Sequence, residues 1–267
     1  MTEIAALGHI TRDLVADSGP RPGGGVFWST RALARLGADA TAHASCSAED
    51  RAALVPPLES FGLPVTWYES STTTEYSFHY EGERRIMRQD AVGDPWSAEQ
   101  AVAAAGDATW INVCALTRTD FPPETLAALA KDGRQLLVDL QGLVRTAAIG
   151  RLETNAHIGD VLPHVAVLKL NDEEAKTLVG STDPEKLRAL GVREAILTLG
   201  SKGAWVVTRE LVEHVPAVPV DGDVDPTGAG DSFSVAYLHA RTRGANPVEA
   251  ASTAGAFVAE LIAPRTP

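Results

Sequence analysis

The sequence predicts an α/β protein built on a three-layer parallel sheet with a small β-hairpin lid. Apolar, strand-like runs recur at 3–8, 40–46, 108–114, 135–140, 165–170 and 194–200. Helical patterns occupy 97–105, 122–131, 171–179, 184–190, 228–243 and 247–262. Strands alternating with helices of that length build parallel βαβ units. Residues 65–90 break the rhythm, with no helical pattern and an alternation of Tyr76, Phe78 and Tyr80 with polar residues instead.

Taken in order, Glu3 to Gly8 reads as the first strand, and His9-Ile10-Thr11-Arg12-Asp13 leads into a loop. A Pro/Gly cluster from Gly19 to Gly25 precedes a helix with Phe27, Thr30, Leu33 and Ala34 on one face. Gly37 stops that helix. In the irregular segment Tyr76, Phe78 and Tyr80 alternate with polar residues. Glu81-Gly82-Glu83 then reads as a turn before Arg84-Arg85-Ile86-Met87-Arg88. A sheet projecting from the edge of a Rossmann-like body suits a lid over the C-terminal strand ends. The alternative is an ordinary edge hairpin whose charges block aggregation. With no repeat, low-complexity tract or linker, residues 1–267 read as a single α/β domain with 65–90 as an inserted β lid.

Composition narrows the function. A formal net charge of −12 argues against nucleic acid or an anionic membrane as partner. No apolar run approaches membrane-spanning length, and Met1-Thr2-Glu3-Ile4 lacks a basic leader, so the expected location is cytoplasmic. Cys46 and Cys114 lie far apart in apolar runs and read as buried core thiols. The histidines show no ligand spacing, and no HExxH or Cys/His cluster points to zinc.

The most informative stretch is Asp225-Pro226-Thr227-Gly228-Ala229-Gly230-Asp231-Ser232-Phe233. Pro226 and the two glycines make a loop, and helical spacing resumes from Phe233. Small residues at a helix start leave backbone N–H groups bare, and the helix dipole adds positive charge there. That suits an anion, most naturally a phosphate. Asp231 would repel that anion unless it works, and the obvious work is to accept a proton from a hydroxyl during phosphoryl transfer. Equally, an Asp in a first helical turn is often only a cap or dipole partner.

Other polar residues fall at strand ends, where open parallel sheets collect ligands. Asp13 follows the first strand; Gln141 and Arg145 follow 135–140; Asn171 and Glu174 follow 165–170; Thr198 and Gly200 end the strand at 194. Each alone is explicable as a cap or loop residue, Asn171 especially. Together they share one rim.

Thr227-Gly228-Ala229-Gly230-Asp231-Ser232-Phe233, preceded by Asp225-Pro226, resembles the C-terminal signature of the ribokinase-like (PfkB) carbohydrate kinases. The resemblance implies that Asp231 is the catalytic base and that the Gly228, Ala229 and Gly230 amides form an anion hole, with Thr227 at its edge. Asn171-Asp172-Glu173-Glu174 is similar to the family's N-x-x-E motif, which implies that Asn171 serves the nucleotide and Glu174 organises Mg²⁺ through water. Thr198-Leu199-Gly200-Ser201-Lys202-Gly203 resembles the nucleotide-binding T-L-G-x-x-G, although a β-turn explains that hexapeptide as well. Asp225 falls where related kinases bind a monovalent cation such as K⁺; Asp221 and Asp223 read equally as a solvated acidic loop.

Gly8 to Asp13, Gly23 to Ser29, Thr72 to Tyr76 and Val138 to Arg145 look like the myo-inositol kinase branch of that family. By that likeness Asp13, Gly24, Gly25, Gln141 and Arg145 serve a polyol, and ATP with Mg²⁺ serves as donor. Trp28 stands where ribokinases carry a sugar-contacting Asn; it cannot accept hydrogen bonds but packs on an apolar sugar face. Of Arg84, Arg85 and Arg88, at least two read as hairpin decoration, with contact to a substrate phosphate as the alternative. In some relatives the lid forms a two-fold interface, so a homodimer through the lid and a monomer are both compatible with the sequence.

Two competing classes remain. A non-catalytic sugar or nucleotide sensor on the same fold predicts a damaged catalytic loop, and this loop is intact. A dinucleotide-dependent dehydrogenase fits less well: Trp28 stands where Gly23-Gly24-Gly25 would need its third fingerprint glycine. A Walker A loop is absent, since the chain has no Gly-Lys dipeptide. Within the kinase reading, another sugar or a nucleoside is the runner-up acceptor.

Overall fold

A computed structural model of the chain describes residues 2–15, 19–81, 84–222 and 224–264. The turn expected at Gly82-Glu83 and the acidic Asp223 lie outside the described residues, as do the side chains of Arg84 and Arg85. The chain runs β1 (Ile4–His9), β2 (Thr11–Val15), β3 (Gly19–Gly23), α1 (Gly25–Leu36), β4 (Ala40–Cys46), α2 (Arg51–Glu59) and β5 (Val65–Glu69). It continues through β6 (Glu75–Glu81), β7 (Arg84–Ala91), α3 (Ala98–Ala105), β8 (Trp110–Cys114), α4 (Pro123–Leu129), β9 (Gln135–Asp139), α5 (Leu140–Val144) and β10 (Gly150–Arg151). The last part comprises β11 (Val167–Asn171), α6 (Asp172–Val179), α7 (Pro184–Arg188), β12 (Glu194–Thr198), β13 (Ala204–Thr208), β14 (Val212–Val215), α8 (Ala229–Thr242) and α9 (Pro247–Ile262).

The large sheet has the order β14-β13-β12-β11-β9-β8-β1-β4-β5. It is parallel from β5 to β12 and ends in the antiparallel pair β13 and β14. Its strands are apolar on both faces because both faces are covered. In β1, Ile4 and Ala6 enter one core while Ala5 and Leu7 enter the other. The same split separates Leu137 from Leu136 and Val138, and Ile196 from Ala195 and Leu197. One core lies under α1, α8 and α9, the other under α3, α4 and α6. That is the three-layer arrangement the sequence predicts.

The second sheet, ordered β10-β7-β6-β2-β3, is wider than the expected hairpin. Only Ile10 separates β1 from β2, so the chain passes from the body straight into the lid sheet. Asp13 therefore lies on a lid strand rather than in a loop, opposite Arg21 of β3 and Tyr76 of β6. The β6 partner is distant in sequence, so no local pattern announces that pairing. Pro20 and Pro22 are tolerated because β3 is the edge of the sheet. Val65–Glu69, expected within the lid, pairs in parallel with β4 in the body. The missed helix α2 contains Pro56 and Pro57; burial of Leu54, Val55 and Leu58 outweighs their poor propensity.

The second sheet is fastened at its base. Arg12 of β2 pairs with Glu75 of β6 and, at 3.3 Å, with Asp50 beside α2. His9 is buried at the exit of β1, its Nδ1 3.3 Å from Asp120 and its Nε2 2.9 Å from the Asp94 carbonyl. Burial alone disfavours its charge, but the Asp120 carboxylate outweighs that and raises the His9 pKa. Among the described residues no helix is long and apolar enough to cross a membrane.

Candidate active site

The loop before α8 is held by its own side chains. Asp225 accepts from the Thr227 N–H at 3.0 Å and from its hydroxyl at 2.6 Å. The Ala229 N–H donates to the Pro226 carbonyl at 3.0 Å, closing a turn with Gly228 at φ 74°. L-residues rarely adopt that φ, and a side chain there would also strike the Trp28 ring 2.5 Å away. Among the described residues the N–H groups of Gly228 and Gly230 have no acceptor. The turn thus occupies the Ala229 N–H, which leaves two of the three consecutive amides open.

On one side of this loop lies a cavity of about 330 Å³. Asp13, Gly24, Gly25, Trp28, Gln141, Thr227 and Asp231 all line it, drawn together from β2, α1, α5 and α8. The helix starts of α1 and α8 meet there: a Cβ on Gly25 would lie 3.0 Å from Asp231 Oδ1. The lid adds Tyr76, Phe78 and Met87, so one wall is apolar. Thr11 Oγ1 donates to Asp13 Oδ1 at 2.7 Å and fixes that carboxylate on its strand.

Arg145 is placed differently from expectation. It does not line the cavity but lies behind Tyr76, with its Nη1 3.4 Å from the phenol oxygen and its guanidinium over the ring. Tyr76 in turn donates to Gln89 at 3.2 Å, and burial pushes its pKa up to about 12. Arg145 therefore supports a wall of the cavity instead of forming it.

Asp231 also behaves unlike an ordinary helix-start carboxylate. The helix dipole and Lys169 favour its charge, but burial and the nearby Asp139 prevail and push its pKa up to about 6. It is a stronger base than its helix position suggests, yet still ionised at neutral pH. That combination suits a general base.

A second cavity, of about 450 Å³, opens on the other side of the loop. Asn171, Thr198, Gly200 and Gly203 line it with Ala229 and Gly230. Its far wall is apolar, formed by Val215, Val220, Ala251, Val258 and Ile262. Pro226 lines both cavities, so the loop is their partition.

Asn171 and Glu174 form a reciprocal box at the start of α6. Asn171 donates through its backbone N–H and its Nδ2 to Glu174, each at 2.8 Å, and accepts from the Glu174 N–H at 2.9 Å. Burial, then repulsion from Asp139, pushes the Glu174 pKa up to about 7. Among the described residues no group of three acidic or soft side chains forms a metal cage. Glu174 lines neither cavity itself, but its box partner Asn171 lines the second, and a carboxylate one residue back from that wall fits Mg²⁺ held through water, since that ion keeps much of its hydration.

The sequence motifs assign no role to two residues beside the loop. Lys169 sits inside an apolar strand and Asp139 ends another, yet their side chains pair at 2.7 Å beneath the loop. Adjacent parallel strands put them in register, Lys169 opposite Asp139. A charged residue interrupting a buried strand was the available clue.

Comparison with known proteins agrees with the geometry. Residues 1–265 match the family model described as pfkB family carbohydrate kinase. A cytidine kinase of Thermococcus kodakarensis is 28% identical over 137 residues, 48% of each chain. An inositol 3-kinase of Zea mays is 31% identical over 149 residues, 52% of this chain and 36% of the maize protein. The chain thus spans half or less of the length of these relatives. The same fold occurs in a pyrophosphate-dependent kinase in the ribokinase family complexed with a pyrophosphate analog and myo-inositol. That structure superposes with a TM-score of 0.84 at 21% identity, covering 97% of this chain and 95% of its own. A family match over nearly every residue, on a fold whose cavities meet at the expected loop, places this chain in the pfkB family of carbohydrate kinases.

Proposed function

We propose that the chain transfers the γ-phosphoryl group of Mg·ATP to a hydroxyl of a cyclitol or sugar, with myo-inositol the first candidate. The observation that carries this reading is the shared partition. The Pro226–Gly230 loop separates a pocket holding Asp13, Gln141 and Asp231 from a second pocket with an apolar slot.

The acceptor sits in the smaller cavity, with hydroxyls toward Asp13 and Gln141 and an apolar ring face against Trp28 and Phe78. Asp231 takes the proton of the attacking hydroxyl as its oxygen bonds to phosphorus; the bond to the bridging oxygen breaks and ADP leaves. The Gly228 and Gly230 amides receive the charge of the transferring group. Mg²⁺, when bound, neutralises donor phosphate charge, and Glu174 with Asn171 would hold its water shell. The lid sheet, which supplies Tyr76, Phe78 and Met87, excludes water from the acceptor.

ATP is favoured as donor because the apolar wall of the larger cavity gives a purine somewhere to bind, which inorganic pyrophosphate does not need. Pyrophosphate is the second reading, supported by the similar fold that uses it. The test is ADP release from Mg·ATP, with pyrophosphate in parallel, over myo-inositol, other cyclitols, ribose, fructose and nucleosides. A signal with myo-inositol alone supports the full reading. A signal with another acceptor keeps Asp231 and discards the roles given to Asp13 and Gln141. Silence across the panel with ATP bound favours the non-catalytic sensor.

A further inference from the structure

We infer that Lys169 is a donor-binding residue: its ammonium, anchored by Asp139, grips the terminal phosphates of the donor from below the Gly228–Gly230 loop. The inference rests on the kinase reading above and assigns a contact to a residue that none of the recognised motifs contains.

Four observations converge on it. Lys169 is buried in the middle of the large sheet, where an ammonium is costly unless it is used or paired. Its Nζ is 2.7 Å from Asp139 Oδ2, which takes one of its three hydrogens; among the described residues the other two have no partner. A Cβ on Gly230 would lie 2.8 Å from Nζ, so the ammonium abuts the loop, and Gly230 leaves that approach open. Lastly, Lys169 lines the donor cavity while Asp139 lines the acceptor cavity, so the ion pair crosses the partition beneath the loop.

Charge explains why a cation belongs there. Asp139, Glu174 and Asp231 crowd three carboxylates around the point where a polyanion must enter. Lys169 is a buried cation facing all three, with Arg145 acting more remotely on Glu174 and Asp231, and despite its burial Asp139 and Glu174 hold it protonated, above the ordinary lysine range. Its two remaining hydrogens match phosphate oxygens, for which an ammonium acts as a point charge. Asp139 also accepts from the Gln141 N–H at 3.1 Å, so the anchor itself is fixed to α5.

The bland alternative is that Lys169 merely neutralises Asp139. The double variant Lys169→Met/Asp139→Asn separates the two, because it removes both charges and leaves neither buried and unpaired. Affinities for Mg·ATP and for AMP are measured by calorimetry on the full chain, with no acceptor present. We expect the double variant to lose about tenfold or more in ATP affinity, as for a lost hydrogen bond to a charged group, with AMP affinity within twofold of wild type. Unchanged ATP affinity, or an equal loss for AMP and ATP, overturns the proposal. If the wild type binds pyrophosphate in place of ATP, the same tenfold loss is expected for pyrophosphate. A wild type that binds neither overturns the kinase reading itself and this inference with it, an outcome distinct from the specific failure of the lysine.

Discussion

The two cavities on either side of the Pro226–Gly230 loop are built by opposite strategies. The acceptor side is assembled from distant pieces, including β2 and β6 of the lid, α1, α5 and α8, and its polar groups are fixed by neighbours such as Thr11. The donor side is built from the body alone, with one polar rim and a long apolar wall from β14 to α9. A group that must discriminate among hydroxyls needs directional contacts from several elements. A group that must hold a purine needs mainly area.

The strongest way to break this comparison is at the partition itself. Asp231→Asn should lower kcat by about 10²–10⁴, the range for a lost general base, while donor and acceptor still bind. Rapid-quench or coupled assays with separate binding titrations check it. Near-normal turnover would remove Asp231 from the mechanism.

Two further substitutions sharpen the contrast between the sides. Asp13→Asn should raise the acceptor KM about tenfold to a hundredfold, as expected for a hydrogen bond to a charged group, and leave the donor KM unchanged. On the other side, Gly255 of α9 lines the donor cavity, and a Cβ there meets nothing within 4 Å. Gly255→Leu should therefore fold well, gain up to about 1 kcal/mol of helix stability and fill the purine slot. We expect a rise of roughly tenfold in the ATP KM and no change for pyrophosphate or for the acceptor, which steady-state kinetics with both donors would show.

The smallest effect is in pH dependence. Asp231 must be ionised to act, and its pKa is pushed up to about 6, so kcat/KM should fall as pH drops through about 6. Stability runs the other way. A carboxyl whose folded pKa is raised favours folding while protonated, and that contribution is lost as pH rises through the folded pKa. Asp231→Asn should therefore raise Tm at pH 7 and do so less at pH 5, which scanning calorimetry at the two pH values would reveal. An equal gain at both would contradict the assigned cause.

The same contrast explains what the sequence disclosed. Glycine-rich loops leave a compact signature, so Gly228 to Asp231 and Thr198 to Gly203 are legible as strings of residues. The parallel sheet was legible too, because strands buried on both faces read as apolar runs. The lid was legible only in part. β2 pairs with β6 across more than fifty residues, and β3 pairs with β2 at the sheet edge; no local periodicity records the long-range pairing. Arg145 was read by position along the chain, whereas its place behind Tyr76 depends on where α5 meets the lid. Lys169 and Asp139 emerged only when β9 and β11 were set side by side. Asp231 stands at the start of α8, as the sequence suggests, but its raised pKa comes from burial and from Asp139, which the sequence alone does not bring near.

The most direct test of the central claim is ³¹P NMR of the chain with Mg·ATP and myo-inositol, repeated with Asp231→Asn. The account predicts that an inositol monophosphate resonance grows in step with ADP for the wild type and is absent for the variant. ADP formed without any phosphate ester, or an ester formed equally fast by the variant, would contradict it.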